Sequence, residues 1–321
     1  MKINTDNPTE AISNDRPNLK ANTIKQYVIH LTKLKKIFST DSYDFLSNPD
    51  EVMDKIKDNH FTSQRNTLNA VIILLLAINH DKKYDELIED YQKRRDKFNQ
   101  QYLDQNADGK ISEAQKNNFV ELDEIKKMLN TMESEIKSQG LKKKENLKGK
   151  EKELMMVYTI FSMLVKYPVR LDFSGMKLIS KTMYNALKAD DKKLGNYLIN
   201  EKGKLTMVMN EYKTSRKFGE KKIPIDKDVQ KIIRMYMRST GKTNGDVLFV
   251  SSTGNEISRN ALSQLLVKTT KRYLNKSIST TIMRKIVLSD KFGDLVKEQK
   301  EMAEITGHDV STMNAVYIKE K

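Results

Sequence analysis

The chain's 321 residues exceed one ordinary small domain and suit two. Its 58 Lys and Arg against 43 Asp and Glu leave a formal charge of +15, which favours a polyanionic partner because each neutralised phosphate releases counterions. The absence of cysteine excludes disulfides, thiolate nucleophiles and Cys-ligated zinc. The longest apolar run, residues 70–78, is far short of the roughly 20 residues a membrane helix needs, so a soluble, intracellular protein with no membrane partner is expected.

Residues 1–20 are polar and read as a disordered arm. From there Ile24, Tyr27, Val28, Leu31, Leu34 and Phe38 recur at helical spacing, and further helices are expected over residues 49–57, 62–78 and 84–102. Residues 21–103 would then form a small basic bundle, linked through 104–111 to a second domain at 112–321. The segment 104–115 (DQNADGKISEAQ) matches a calcium loop at Asp104, Asn106, Asp108, Gly109, Ile111 and Ser112. Its closing position, however, is Gln115 where a bidentate glutamate belongs, which removes a charge and a chelating oxygen. A linker followed by Ser112 as a helix cap is the preferred reading, with no metal site.

In the second domain, residues 112–138 read as one or two amphipathic helices and 140–152 as a solvated basic loop. The nearly apolar 153–166 reads as the buried helix of the core, ended by Pro168. The period then changes: 196–199, 205–209 and 222–225 read as short strands, the first pair joined through Glu201, Lys202 and Gly203. Helical spacing returns over 228–238, 259–273, 280–288 and 296–305. The expected fold class is mainly α with a small antiparallel β-sheet in the C-terminal domain.

His30, His60 and His80 fall on unrelated helices or turns without metal-ligand spacing, and no Gly-rich phosphate loop is present, so no metal or nucleotide cofactor is implied. The second domain instead carries an ordered set: Arg170 in YPVRLD, Lys213 in EYKTS, Arg284 in TTIMRK, His308 after Gly307, and Tyr317 nine residues beyond the histidine. Taken singly, Tyr317 is a packing aromatic, Arg170 a helix-end ion pair and His308 a turn residue. Taken in order, with Leu248, Phe249, Gly254 and the run 258–262 (SRNAL) between them, they resemble the tyrosine recombinase, or phage-type integrase, family. The resemblance covers roughly the last two hundred residues. The first domain resembles the family's helical core-binding domain only in size, position and charge.

The resemblance implies a two-domain clamp around double-stranded DNA, assembled as a homo-tetramer. It implies strand cleavage and rejoining through a covalent 3′-phosphotyrosine without metal, ATP or other cofactor, in a virus or mobile element. In that chemistry Arg170 and Arg284 offer paired donors to the non-bridging phosphate oxygens. Lys213 protonates the departing 5′ oxygen and His308 bonds a non-bridging oxygen. Tyr317 is the nucleophile, and a phenol attacks well only where positive charge favours loss of its proton. Lys217, Lys221 and Lys222 compete with Lys213, which better fits the family's lysine at a strand end.

Three departures stand out. Thr281 occupies the place of the family's histidine three residues before the second arginine, and threonine cannot act as a base near neutral pH. Asp172, the acidic residue expected to support Arg170, comes one position early. Only four residues follow Tyr317, where many relatives exchange a further helix. A type IB topoisomerase, which nicks and reseals one strand, and a catalytically decayed DNA-binding protein are the alternatives.

Overall fold

In the computed structural model, which describes all residues except 1, 4, 6, 108–110 and 320–321, the chain divides into two units, Met1–Ser112 and Glu113–Lys321. The first unit is helical: α1 Pro8–Asp15, α2 Ala21–Ile37, α3 Pro49–Ile56, α4 Phe61–Ala77 and α5 Asp85–Ala107. Helices α2 to α4 fall where the apolar spacing predicts, because each lays Ile, Leu or Val onto one shared core. The expected disordered arm is instead ordered over α1. Asn7 caps α1 through its carbonyl, Pro8 opens it, and Ile3 and Ile12 are buried in the bundle. The Ile3 amide donates to Asp44 at 2.6 Å, which pins the chain ahead of the helix.

Helix α5 outruns its expected end and takes in Asp104, whose carboxylate accepts from Gln100 at 2.7 Å, so this part of the calcium-loop match is helix. Asp108 and Gly109 lie outside the described residues. Among those described, no three His, Cys, Asp or Glu group as metal ligands. His30 bonds Thr67 at 3.0 Å and His60 caps α4 by accepting from the Thr62 amide, both structural tasks. No helix among the described residues is long and apolar enough to cross a membrane.

The second unit opens with α6 Glu113–Lys116, α7 Leu122–Ser138 and the core helix α8 Gly149–Lys166, almost wholly buried in its last three turns. Strand β1 Lys177–Ser180, α9 Lys181–Ala186 and α10 Ala189–Lys193 lead to β2 Asn196–Glu201 and β3 Lys204–Met209. Lys202 and Gly203, both with positive φ, make the two-residue turn between β2 and β3 that matches strand twist. Helix α11 Ser215–Phe218 and β4 Lys221–Pro224 complete a four-stranded sheet in the order β1-β2-β3-β4. The sheet is mixed rather than purely antiparallel, because β1, which the spacing did not reveal, pairs parallel to β2.

Strand alternation gives the sheet two dry faces. Leu198, Leu205 and Met207 join the main core, while Ile179, Tyr197, Ile199 and Val208 pack under Tyr184 of α9. Helices α12 Lys227–Ser239 and α13 Arg259–Leu274 close the core. The two helices expected over 280–288 and 296–305 are one, α14 Thr280–Ile305. The single interior glycine, Gly293, costs only about 1 kcal/mol, and no proline enforces a break. A short turn, α15 Val310–Thr312, and a π-helical turn at Met313–Tyr317 end the described chain.

Burial of Ile12 has a direct test. Ile12→Ala should cost about 2–4 kcal/mol of stability in the first unit, read as an earlier urea transition of the full-length chain. No shift would return residues 1–20 to a disordered arm.

Candidate active site

Helix α8 ends at Lys166, and the next residues turn sharply into a 3₁₀ turn at Leu171–Phe173. Arg170 precedes that turn and is exposed. Arg284, in the second turn of α14, donates from Nε to the Pro168 carbonyl at 2.8 Å, which brings it near Arg170, 114 positions earlier in sequence. Burial pulls the Arg284 pKa down, the neighbouring Arg170 charge lowers it further, and Asp172 opposes both. An arginine stays protonated regardless, so Arg284 keeps its charge here.

Asp172 is the counter-charge. Its side chain is 3% exposed, and it pairs with the guanidinium of Arg259, which is 60% exposed. Asp172 is expected to support Arg170, and its direct ion pair is with Arg259. Ser258 caps α13 by accepting from the Ala261 amide at 3.2 Å, and that cap places Arg259 at the start of the helix, facing Asp172. A cavity of about 570 Å³ adjoins the pair, lined also by Lys177, Asn196, Glu211 and Glu256.

Lys213 lies beyond the end of β3, in the segment leading to α11, rather than within the strand. Of the four competing lysines, Lys222 pairs with Glu220 at 2.7 Å, while Lys217 and Lys221 lie over the Phe218 ring. Among the described residues Lys213 alone of the four has no such ion pair or ring contact. The start of its segment is tied to the arginine turn by Asn196, at the head of β2. The Asn196 Nδ2 donates to the carbonyls of Asp172 at 2.7 Å and Glu211 at 2.8 Å. Its Oδ1 accepts from the amides of Asn210 and Glu211, both at 2.9 Å.

His308 and Tyr317 form a second group. Helix α14 stops in a Schellman motif: Gly307, at φ +70°, donates to the Glu304 carbonyl and His308 to that of Ala303. The Gly-His pair thus has a backbone reason, since only glycine enters the left-handed region without strain. Asp309 then caps α15, and its bonds from Ser311 and Thr312 hold its carboxyl down at about 2. Tyr317 is 60% exposed and stacks on His308, with ring centroids 4.8 Å apart and planes 25° from parallel.

The structure does not bring these two groups together. Tyr317 lines a cavity of about 630 Å³ with Leu295, Met302 and His308. Even Leu295 lies about 16 Å along the α14 axis from Arg284, at 1.5 Å per residue. Thr281 is exposed in the first turn of α14, one turn before Arg284 and on the same side. Arg259 and Asn196 were not singled out as site residues by the sequence. The signal for Asn196 is its type, since Asn is depleted from strands yet opens one whose next three residues are apolar.

No family model matches the chain, and no curated protein matches it in sequence. Among solved structures the chain is similar to the XerH site-specific recombinase bound to its difH substrate in a pre-cleavage complex, at 12% identity and a TM-score of 0.46, over 98% of this chain and 85% of that one. It is also similar to the XerA recombinase, at 12% identity and a TM-score of 0.34, over 98% of this chain and 94% of that one. Likeness at this level assigns no role to any residue.

Proposed function

We propose that this chain is a site-specific DNA recombinase that cleaves and rejoins strands through a covalent 3′-phosphotyrosine. The observation that carries the reading is the bond from Arg284 to the Pro168 carbonyl, which sets Arg284 within electrostatic reach of Arg170 and of the buried Asp172 carboxylate. Paired guanidiniums with a surplus of charge suit the two non-bridging oxygens of a phosphodiester, which gain charge as attack proceeds. The overall charge of +15 and the helical first unit suit a double-stranded DNA partner, with the first unit as a DNA-binding domain.

In the proposed step the Tyr317 hydroxyl gives up its proton to solvent water, and its Oη forms a bond to phosphorus while the bond from phosphorus to the 5′ oxygen breaks. The electron pair leaves on that oxygen, and Lys213 supplies its proton. His308 steadies a non-bridging oxygen. Rejoining reverses the step, so neither ATP nor metal is called for. For this chemistry Tyr317 must travel to the arginines, within its own chain or into a second copy of an assembled tetramer. Leu288, Phe292, Leu295, Val296, Met302 and Ile305 are exposed along α14 and give such an assembly an apolar surface to cover. Mixing Tyr317→Phe with Arg170→Ala protein separates the routes, because only delivery between copies restores cleavage. The distance of Tyr317 from the arginines also favours a second reading, a decayed scaffold that binds DNA without cutting it.

Covalent capture of nicked duplexes from a random-sequence library supplies a substrate and tests the proposal. The unaltered chain should yield a protein–DNA adduct stable to denaturant, and Tyr317→Phe should yield none while binding DNA almost as well. Binding without an adduct from the unaltered chain would support the decayed scaffold.

On a captured duplex, Arg170→Ala should slow cleavage ~10²–10³-fold, the usual loss for one preorganised donor set, with affinity changed far less. Equal losses in both would make Arg170 an ordinary phosphate anchor.

Thr281→His should raise single-turnover cleavage above about pH 6.5, where an imidazole is neutral and can accept the tyrosine proton. A Tyr317→Phe background should erase the gain. An unchanged rate from pH 6 to 9 would show that the site lacks no base.

A further inference from the structure

We infer that Asn196 is a positioning residue for the leaving-group proton, through its hold on the segment that carries Lys213. The inference rests on the assignment of Lys213 given above. Two pieces of chain must keep a fixed spacing for the reaction to be concerted: the turn that presents Arg170 to the phosphate and the segment that presents Lys213 to the 5′ oxygen. Arg170 lies two residues before Asp172, and Lys213 two residues after Glu211. One carboxamide joins the carbonyls of those two inner residues, with Nδ2 donating 2.7 Å to Asp172 and 2.8 Å to Glu211.

The same carboxamide accepts from the Asn210 and Glu211 amides, so all its hydrogen-bonding capacity is engaged inside the protein. Asn196 is 6% exposed, and its neighbour Asn210 is held in turn by the Lys192 carbonyl at 2.7 Å. A buried side chain bonded on every side has one geometry and transmits it. The backbone of 210–213 has left the β3 ladder by this point, so strand pairing does not fix where the lysine goes. The donor half of Asn196 connects the two pieces. The acceptor half holds the start of the Lys213 segment but does not reach the arginine turn.

That division sets the test. Asn196→Asp keeps the acceptor and loses the donors, while Asn196→Ala loses both. Each is compared with the unaltered chain and with Lys213→Ala on captured nicked duplexes whose scissile bridge carries either a 5′ oxygen or a 5′ sulfur. Sulfur leaves as a thiolate without needing a proton, so a defect confined to proton delivery disappears on it. Asn196→Asp should cleave the oxygen substrate about ten- to a hundredfold more slowly. On the sulfur substrate it should run within about twofold of the unaltered chain, with DNA affinity unchanged.

A defect of equal size on both substrates would make Asn196 a structural residue and overturn the inference, as would no defect on either. If Asn196→Ala fails to fold, Asn196→Asp alone decides. Lys213→Ala is the control on the underlying assignment. If sulfur does not rescue it, Lys213 is not the proton donor and this role of Asn196 falls with it. If sulfur rescues Lys213→Ala but not Asn196→Asp, only the inference about Asn196 fails.

Discussion

Guanidinium groups brought together repel one another, and burial strengthens the repulsion by removing the water that screens it. The turn between Pro168 and Asp172 is built around that difficulty. One carbonyl fixes Arg284 and one buried carboxylate meets Arg259, while Arg170 stays at the surface. The charge is offset in part and left over in part. Much of the second unit serves this compromise: α8 brings the chain to the turn, the cap on α13 aims Arg259, and β2 supplies the amide that braces the turn from below.

How far this could be read from the sequence depended on the range of each interaction. Helices α2 to α4 show because their apolar residues repeat at helical spacing, a local pattern that the bundle then uses. The order in α1 does not show, since Ile3 and Ile12 stand isolated among polar residues and acquire meaning only where the bundle receives them. Strand β1, four residues long, has too little alternation to declare itself. At the site, Arg170, Lys213, Arg284, His308 and Tyr317 stood out by order and residue type. The pairing of Asp172 with Arg259 did not, because 87 residues separate them and no local rule links a turn to a distant cap. Asn196 was hidden for the same reason: its value lies in two backbone carbonyls.

The mistaken break in α14 has a different lesson. Gly293 lies in the gap left between the two expected helices, yet a helix tolerates a glycine when both flanks favour helix, and here they do. The result is a helix whose first two turns are packed against the core and whose later turns expose leucine, valine and phenylalanine to water. A face of that size on a charged, otherwise well-patterned chain marks a surface awaiting cover. The segment that holds His308 and Tyr317 rides on it.

Because the Schellman stop fixes His308 to the last turn of α14, and Tyr317 stacks on His308, the pair is the tip of a rod. A rod amplifies rotation in proportion to its length. From Gly293 to Ile305 the rod measures about 18 Å at 1.5 Å per residue, so a bend of about 20° at the glycine sweeps the tip through roughly 6 Å. A single backbone position would thus act as a fulcrum, with the whole helix end as its lever arm. That stroke carries the backbone and both rings together, which no single rotamer change does.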